Sequence, residues 1–262
     1  MKINVALAIS RDWFDKASIT ATSVLANAKD EDEYSFYILS NGFSDEEKQI
    51  FLNLKKLRDV NFEFITIDDS YFDGAIHDWL GVSASYRLRL QTFCKEDKIL
   101  YMDSDIVAVK DVSELFKIDI SNYYVAAVED KSPDVMRHRI HQIKDDEPFF
   151  NSGVQLINLK KFREDNIEEK FMKILREKTS YTDQDALNDV CYGKILSLPL
   201  KYNIVPCDKY TERREEAEDA IKNPVLLHYW SKPWCVSIRI DMYKDWNKYK
   251  DIYDSLLKEV QV

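Results

Sequence analysis

Two aspartates separated by one residue stand between two short apolar runs. Asp103 and Asp105 follow Ile99–Met102 and precede Ile106–Val109. In an extended chain, residues i and i+2 point to the same side, so the two carboxylates are expected to converge. Like charges beside a buried sheet repel each other and lose hydration, which is costly unless a cation compensates. Because oxygen ligands suit Mn²⁺ and Mg²⁺, the pair predicts a divalent metal site.

A plainer interpretation of the same tripeptide is a surface turn. There, Asp103 and Asp105 would only cap local backbone groups, and D-x-D is a common pattern. Open α/β sheets bind ligands at the carboxyl ends of their strands, where this pair would lie. The residues alone leave both interpretations open.

The overall charge excludes some classes of function. The chain has 262 residues and a formal net charge of −10, so we do not expect it to bind nucleic acid or anionic lipid without a local basic patch. An acidic protein that handles a phosphorylated substrate needs another positive charge, and a divalent cation would supply it. Five glycines in the whole chain argue against a Gly-rich phosphate loop.

The cysteines and the apolar runs indicate the cellular compartment in which the protein is expected. The four cysteines are scattered without C-x-x-C spacing, which favours free thiols in a reducing environment. No apolar run approaches the roughly 20 residues that span a bilayer. The first residues show no signal-peptide pattern, so we expect a cytoplasmic protein.

Alternating strand and helix patterns predict an α/β sheet that is covered on both faces. The strands are predicted at 2–9, 34–39, 61–67, 99–102, 123–128, 154–158 and 225–227. The helices are predicted at 13–27, from 44 through 57, and at 84–93, 166–178 and 183–190. The charged segment 211–222 is predicted to be a surface helix or loop. We find no repeat or linker, which predicts one compact domain.

Five segments then follow one another in a familiar order. They are Ser85–Leu90, Leu100–Asp105, Phe150–Leu159, Tyr181–Asn188 and His228–Trp234. Together they resemble family 8 of the retaining glycosyltransferases, which includes glycogenin and bacterial lipopolysaccharide galactosyl- and glucosyltransferases. Each motif is weak by itself, but five in this order are specific. The resemblance implies a GT-A fold, a Rossmann-like mixed sheet with helices on both faces.

The resemblance also implies a UDP-sugar donor and a Mn²⁺ ion, with Mg²⁺ as a substitute. Asp103, Asp105 and His228 would be the protein ligands of the metal. Lewis-acid neutralisation of the departing diphosphate is what such a reaction requires. A lone histidine after a short strand is otherwise typical of a satisfied core residue. Lys232 would contact the donor phosphate, although an ordinary surface lysine is the alternative.

Other positions match residues that bind the donor in the family. Arg87 matches a donor-binding arginine, whereas Arg89 is expected to face solvent or form a structural ion pair. Asp130 and Asn151 match positions that contact the sugar, and their oxygen and amide groups can fix hydrogen-bond direction. Asn151 could alternatively begin a turn. The remaining positions predicted to bind the donor are Ala8, Ser10, Ser104 and Ser152.

Gln184 resembles the residue that the family places beneath the anomeric carbon. An amide is a poor nucleophile, so we favour a same-face route in which Gln184 positions the sugar. Asp183 would anchor donor hydroxyls, or it would be the N-cap of the following helix. With Asp130, these two residues are the predicted catalytic group.

Two departures from the family pattern bear on the donor. Ile9 stands where the family usually carries an aspartate near the nucleotide base, and Ser10 or Asp12 could substitute for it. The segment between His228 and Lys232 is shorter than the usual pattern and lacks its glycine. These departures keep a catalytically weak sugar-nucleotide-binding protein as an alternative, with a metal-dependent phosphohydrolase as the other rival.

The C-terminal residues carry aromatic and apolar side chains at helical spacing, with lysines between them. We predict a catalytic domain at 1–239 and an amphipathic helix within 240–262 that packs on it. The alternative is peripheral attachment of this helix to the inner membrane face, near a lipid-linked acceptor. The expected substrates are UDP-glucose or UDP-galactose and a saccharide acceptor of a lipopolysaccharide or surface polysaccharide.

Overall fold

Neighbouring residues of the central strands face two different hydrophobic clusters. In the computed structural model of the chain, Leu100 and Met102 lie in one buried cluster, while Ile99 and Tyr101 lie in the other. Both faces of the sheet are therefore apolar, and helices cover both of them. The structure describes residues 1–76, 81–130, 140, 143–144, 147–205, 214–229, 233 and 243–258.

The strands of the described part are assigned in chain order. They are β1 Lys2–Ala8, β2 Glu33–Ser40, β3 Val60–Thr66, β4 Lys98–Met102, β5 Ile106–Ala108, β6 Val125–Glu129, β7 Phe150–Asn158, β8 Ile195–Leu198 and β9 Leu226–His228. Seven of them form one sheet in the order β3-β2-β1-β4-β7-β6-β8, and β5 pairs with β9. Strands β3, β2, β1 and β4 are parallel, whereas β7 is antiparallel to both β4 and β6. This mixed sheet confirms the predicted α/β class.

Helices α1 to α8 lie between these strands in the chain, and α9 follows β9. They are α1 Phe14–Ala26, α2 Asp45–Leu52, α3 Leu90–Phe93, α4 Ser113–Lys117, α5 Leu159–Glu164, α6 Ile167–Glu177, α7 Asp183–Val190, α8 Arg214–Lys222 and α9 Lys244–Lys258. The capping box predicted at Ser44 is present, because its side chain accepts from Glu47 N and the Glu47 carboxylate accepts from Ser44 N. Among the described residues, no helix combines the length and apolar character needed to cross a membrane.

One predicted helix differs in type from the structure, and two short strands were not predicted. The helix predicted at 84–93 is a 3₁₀ segment, Val82–Arg89, followed by the short α3. Its winding lets Arg87 Nε donate to Ala84 O at 2.7 Å, a contact that apolar periodicity does not encode. Strands β5 and β8 have only three and four residues, too few for a periodic signal.

Helix α9 packs on the domain through its aromatic face. Trp246, Tyr249 and Tyr253 are buried, and the Tyr249 hydroxyl accepts a hydrogen bond from Asn27 Nδ2 at 2.7 Å. This is the packing that the amphipathic pattern predicts. Attachment of the helix to a membrane, and the division of the chain at residue 239, stay predictions.

Candidate metal and donor site

The two aspartates lie in a tight turn at the carboxyl end of β4. Asp103 leaves the strand, and Ile106 N donates back to Asp103 O at 3.3 Å. The extended geometry that we expected for Asp103 and Asp105 is therefore wrong. The carboxylates still converge, because the turn folds Asp105 back towards Asp103 and ligand atoms of both lie within 4.8 Å of each other.

Strand pairing brings a histidine to this turn. Ile106 of β5 is opposite His228 of β9, and Tyr229 N donates to Asp105 O at 2.9 Å. His228 Nε2 consequently lies 3.3 Å from Asp105 Oδ1 and 3.9 Å from Asp103 Oδ2. Two carboxylates and one imidazole form a ligand set that fits Mn²⁺, so the residues present are suited to hold such an ion.

A glycine makes room for this cluster. A Cβ atom at Gly153 would lie 2.4 Å from His228 Cε1 and 2.9 Å from Asp103 Oδ2. The same residue accepts a hydrogen bond from Asp103 N at its carbonyl, at 2.8 Å. Gly153 is therefore required by close approach of the side chains and not by an unusual φ. Sequence inspection treated it only as part of a motif.

Arg87 is buried beside the carboxylates. Its Nη2 is 3.1 Å from Asp103 Oδ1, and its Nε is 3.1 Å from Asp183 Oδ2. The guanidinium also donates to Ser152 O and lies 4.4 Å from the centre of the Tyr101 ring. Burial opposes its charge, but Asp103 and Asp183 outweigh that effect and raise the pKa of Arg87. The arginine therefore neutralises two carboxylates inside the protein.

A second group of polar side chains lies at the end of β6, on β7 and at the start of α7. Gln184 Oε1 accepts from Ser152 N at 2.9 Å, and Gln184 Nε2 donates to Asp130 Oδ2 at 3.3 Å. Asn151 Nδ2 donates to the same Asp130 oxygen at 3.3 Å. Asp130 thus accepts hydrogen bonds from the amides of two residues that were predicted to contact the sugar donor. Asn151, Ser152 and Gly153 belong to β7, so the alternative of a turn is wrong.

The start of α7 differs from the predicted cap. Thr182 is the N-cap, and its capping box is completed by Asp185. Asp183 is the first residue of the helix and is directed to Arg87. The N-cap alternative for Asp183 is therefore wrong. Its carboxylate is instead part of the charged site.

The loop after β1 reaches the turn between β4 and β5. Ser104 Oγ donates to Ala8 O at 3.3 Å. Ile9 is 1% exposed and belongs to a hydrophobic cluster, which is consistent with the absence of an acid there. Ser10 is half-buried beside this loop. Lys232 lies outside the described residues.

Arg89 forms the ion pair that was one of its two predicted roles. Its Nε is 2.9 Å from Glu168 Oε1, and both side chains are largely buried. Sequence inspection missed Asn203, whose Oδ1 is 3.0 Å from His228 Nδ1. No signal in the spacing marked Asn203, because its partner is 25 residues away in the chain.

Solved structures with the same architecture define the class of this fold. The galactosyltransferase LgtC, solved with donor and acceptor sugar analogues, superimposes with a TM-score of 0.78 at 24% identity. The match covers 97% of this chain and 96% of LgtC. Together with the mixed sheet, this likeness shows that the chain has the GT-A fold of glycosyltransferases.

Sequence comparisons identify the family within that fold. Residues 4–236 match the model of glycosyl transferase family 8, so the chain belongs to this family. The lipopolysaccharide 1,2-glucosyltransferase of Escherichia coli K12 is 28% identical over 257 residues, covering 88% of this chain and 72% of that protein. General stress protein A of Bacillus subtilis is 27% identical over 230 residues, covering 81% of this chain and 80% of its own length. The chain is a glycosyltransferase.

Proposed function

We propose that this glycosyltransferase moves glucose or galactose from a UDP-sugar to a saccharide acceptor with retention of configuration. The observation that carries the proposal is the meeting of Asp103, Asp105 and His228 within 4.8 Å, at the carboxyl end of β4. Such a cluster offers oxygen and imidazole ligands to Mn²⁺, or to Mg²⁺ in its place. When bound, the ion would supply Lewis-acid neutralisation of the diphosphate.

The amides beside the cluster are suited to hold the sugar of the donor. Asp130 accepts hydrogen bonds from both Asn151 and Gln184, so each amide has a defined orientation. Directed donors and acceptors of this kind recognise hydroxyl groups. In the proposed reaction, Asp130, Asn151 and Ser152 bind the sugar, and Asp183 with Arg87 anchors its hydroxyls. Lys232 would contact the donor phosphate.

Gln184 carries the proposed positioning role at the anomeric carbon. Ser152 N donates to its Oε1 at 2.9 Å, and its Nε2 donates to Asp130, which keeps the amide in one orientation. An amide in this position favours a same-face route, since it is too weak a nucleophile for a double displacement. Acceptor attack and leaving-group departure would then occur on one face of the sugar.

The acceptor and the nucleotide-base contacts are proposed on other grounds. A relative that is a lipopolysaccharide glucosyltransferase supports a lipopolysaccharide or surface-polysaccharide acceptor at the cytoplasmic face of the membrane. Ala8, Ser10 and Ser104 would line the nucleotide side of the site, because Ser104 Oγ donates to Ala8 O beside β1. Ile9 is buried, so Ser10 or Asp12 would contact the base.

A panel of nucleotide sugars, each tested with and without Mn²⁺, examines the proposal. We expect release of UDP that depends on the sugar and on Mn²⁺, and we expect Asp105→Asn to abolish it. The matched control is Asp165→Asn, because Asp165 is an exposed carboxylate that accepts a hydrogen bond from the Tyr124 hydroxyl on the surface. The anomeric configuration of the product, read by proton NMR, tests retention.

Two other results would replace the proposal. Binding of a nucleotide sugar without turnover would identify a sugar-nucleotide-binding protein that has kept the fold. Release of phosphate from simple phosphate esters, without sugar transfer, would identify a phosphohydrolase. Equal activity of Asp105→Asn and Asp165→Asn would show that Asp105 is not a metal ligand.

A further inference from the structure

A chain of side-chain hydrogen bonds joins His228 to the strand that carries Gly153. His228 Nδ1 is 3.0 Å from Asn203 Oδ1, and Asn203 Nδ2 donates to Asn151 Oδ1 at 2.7 Å. The same Asn151 oxygen accepts from Gly153 N at 2.9 Å. Asn203 therefore bridges the histidine of the candidate metal site and the asparagine of the sugar side.

The backbone N–H of Gly153 determines which atom donates and which accepts in each of these hydrogen bonds. A backbone N–H can only donate, so the Asn151 atom that faces it must be the oxygen. The Asn203 atom that faces this oxygen must then be the amide nitrogen. Asn203 consequently turns its oxygen to His228 Nδ1, which must carry a hydrogen. In the neutral ring, the remaining lone pair is then on Nε2.

Backbone pairing holds Asn203 opposite the histidine. Ile204 N donates to Leu226 O at 3.1 Å, and His228 N donates to Ile204 O at 2.7 Å. These two bonds attach the residue after Asn203 to strand β9 on both sides of Leu227. Asn203 is 3% exposed, so water has little access to compete for its amide.

We propose that Asn203 is a positioning residue that fixes the tautomer and the orientation of His228. It thereby directs Nε2 towards Asp105 Oδ1, at 3.3 Å, and Asp103 Oδ2, at 3.9 Å. A hydrogen-bonded second ring nitrogen is what keeps a metal-binding histidine in one orientation. The consequence for metal affinity rests on the proposed function, whereas the hydrogen on Nδ1 does not.

Through its bond to Asn151, Asn203 also contacts the sugar side of the site. Asn151 Nδ2 donates to Asp130, which also accepts from Gln184. The sugar side and the metal side of the site therefore share one hydrogen-bonded series through Asn203. Substitution of Asn203 by alanine removes both of its bonds, whereas aspartate keeps an acceptor for Nδ1 and loses the donor to Asn151.

The first experiment examines the histidine ring in the metal-free protein. Labelling with ¹⁵N-histidine and a long-range proton–nitrogen correlation distinguish Nδ1 from Nε2, and His228→Gln assigns the signal. We expect a hydrogen on Nδ1 of His228 that exchanges slowly with water in the wild type and in Asn203→Asp. It should exchange fast in Asn203→Ala. A wild-type Nδ1 without a bound hydrogen overturns the proposal.

The second experiment measures Mn²⁺ affinity by electron paramagnetic resonance titration. We expect Asn203→Ala to weaken binding about 10- to 100-fold, and Asn203→Asp to stay within about threefold of the wild type. The matched control is Asn158→Ala. The Asn158 side chain also makes two hydrogen bonds, from Lys161 N and to Ile120 O. Neither bond involves the cluster, so the Mn²⁺ affinity of Asn158→Ala should equal that of the wild type.

The outcomes separate this proposal from the proposed function. If the wild type binds Mn²⁺ and Asn203→Ala binds it equally well, Asn203 has no positioning role and the function is unaffected. If the wild type binds no Mn²⁺, the proposed dependence of the function on Mn²⁺ is wrong, and the Nδ1 signal alone decides the role of Asn203 at His228. Equal losses of Mn²⁺ affinity in Asn203→Ala and Asn203→Asp would show that the hydrogen-bond acceptor for His228 Nδ1 is not what matters at residue 203.

Discussion

The candidate site consists of two regions that are built in different ways. The charged region contains Arg87, Asp103, Asp105 and Asp183, and it lies on the 3₁₀ segment Val82–Arg89, at the end of β4 and at the start of α7. The amide region contains Asn151 and Gln184, which both bond to Asp130, and Asn203, which bonds to Asn151; it is spread over β7, α7 and the segment after β8. His228 lies between them, close to the carboxylates on one side and bonded to Asn203 on the other.

The difference between the regions is one of energetics. A buried charge needs a counter-charge, and Arg87 supplies one to Asp103 and Asp183. Such a pair is costly to break from one side. Amides carry no net charge, so removing one of them costs mainly a hydrogen bond and its direction. We therefore expect the charged region to determine stability and ion binding, and the amide region to determine orientation.

The largest effect is expected for Arg87→Met. This variant removes a guanidinium that lies 3.1 Å from Asp103 and 3.1 Å from Asp183, while keeping an apolar side chain of similar length. The free energy of unfolding should fall by about 4 kcal/mol, as for other buried pairs that lose one partner. Urea denaturation monitored by circular dichroism measures this change.

Its control is Lys250→Met, because Lys250 pairs with Asp254 on the surface of α9, where the two side chains are 49% and 39% exposed. Exposed pairs contribute about 1 kcal/mol or less. Equal losses in the two variants would show that burial of Arg87 does not make its pair more important for stability.

Gly153→Ala tests the close approach of Gly153 to His228 and Asp103. The new methyl group would meet His228 Cε1 at 2.4 Å and Asp103 Oδ2 at 2.9 Å, so it must displace ligands of the candidate metal site. Overpacking of this kind costs about 1–3 kcal/mol. We therefore expect Mn²⁺ affinity to fall by about 100-fold in a calorimetric titration.

Gly74→Ala is the matched control. A Cβ there meets no atom within 4 Å, but the φ of +70° strains any side chain. This variant should lose about 1 kcal/mol of stability and keep its Mn²⁺ affinity. Unchanged affinity in Gly153→Ala would contradict the crowded geometry of the site.

Gln184→Ala tests the amide region alone. The variant loses the acceptor for Ser152 N and the donor to Asp130, but it leaves the carboxylates and His228 in place. We expect kcat to fall by about 10- to 100-fold, since misplaced reacting groups lose this much, while Mn²⁺ affinity stays the same. Steady-state kinetics and a Mn²⁺ titration measure the two quantities.

Gln49→Ala serves as the control for Gln184→Ala, because Gln49 lies on α2 and its amide donates to Asn53 Oδ1 at the end of that helix. Its kcat should equal that of the wild type. A large loss of Mn²⁺ affinity in Gln184→Ala would mean that the two regions are not separable.

The last prediction concerns the reactivity of two buried thiols, Cys94 and Cys191, which lie outside both regions. Burial raises the pKa of Cys94 to about 12, and burial likewise raises the pKa of Cys191. Since the thiolate is the reactive form, both should resist iodoacetamide at pH 8 and react faster as the pH rises towards 12. Peptide mapping by mass spectrometry measures their labelling.

Labelling of these thiols also checks the variants. Gln184→Ala should label Cys94 and Cys191 no faster than the wild type, because its effect is local. Rapid labelling at pH 8 in the wild type would contradict the burial of both cysteines.

Much of the fold was predictable because its signals are local. The predicted strands around Tyr34 and Ile99 and the helix that begins at Asp183 match β2, β4 and α7 closely. Alternation of side chains and capping residues depends only on near neighbours along the chain. The short strands β5 and β8 lacked such a signal, because three or four residues do not establish a period.

For the site, local spacing identified Asp103 and Asp105 as a pair but gave the wrong backbone reason for their convergence. The ordered motifs identified the family to which the chain belongs, which the match over residues 4–236 confirms. The same motifs marked Arg87 as a donor contact, and the structure places it in an ion pair with Asp103 and Asp183. The metal and donor roles of these residues stay predictions.

The amino-acid order thus determined the α/β architecture, the family and the position of the acidic turn after a buried strand. The resemblance to the family had already grouped His228 with the two aspartates, but only the tertiary structure decided that the β5–β9 pairing brings it there, that Gly153 must lack a side chain and that Asn203 bonds to the histidine. These contacts join residues that are far apart in the chain, such as Ile106 and His228 in the β5–β9 register. Their pairing follows from how strands and loops pack together, which no local pattern of residues encodes.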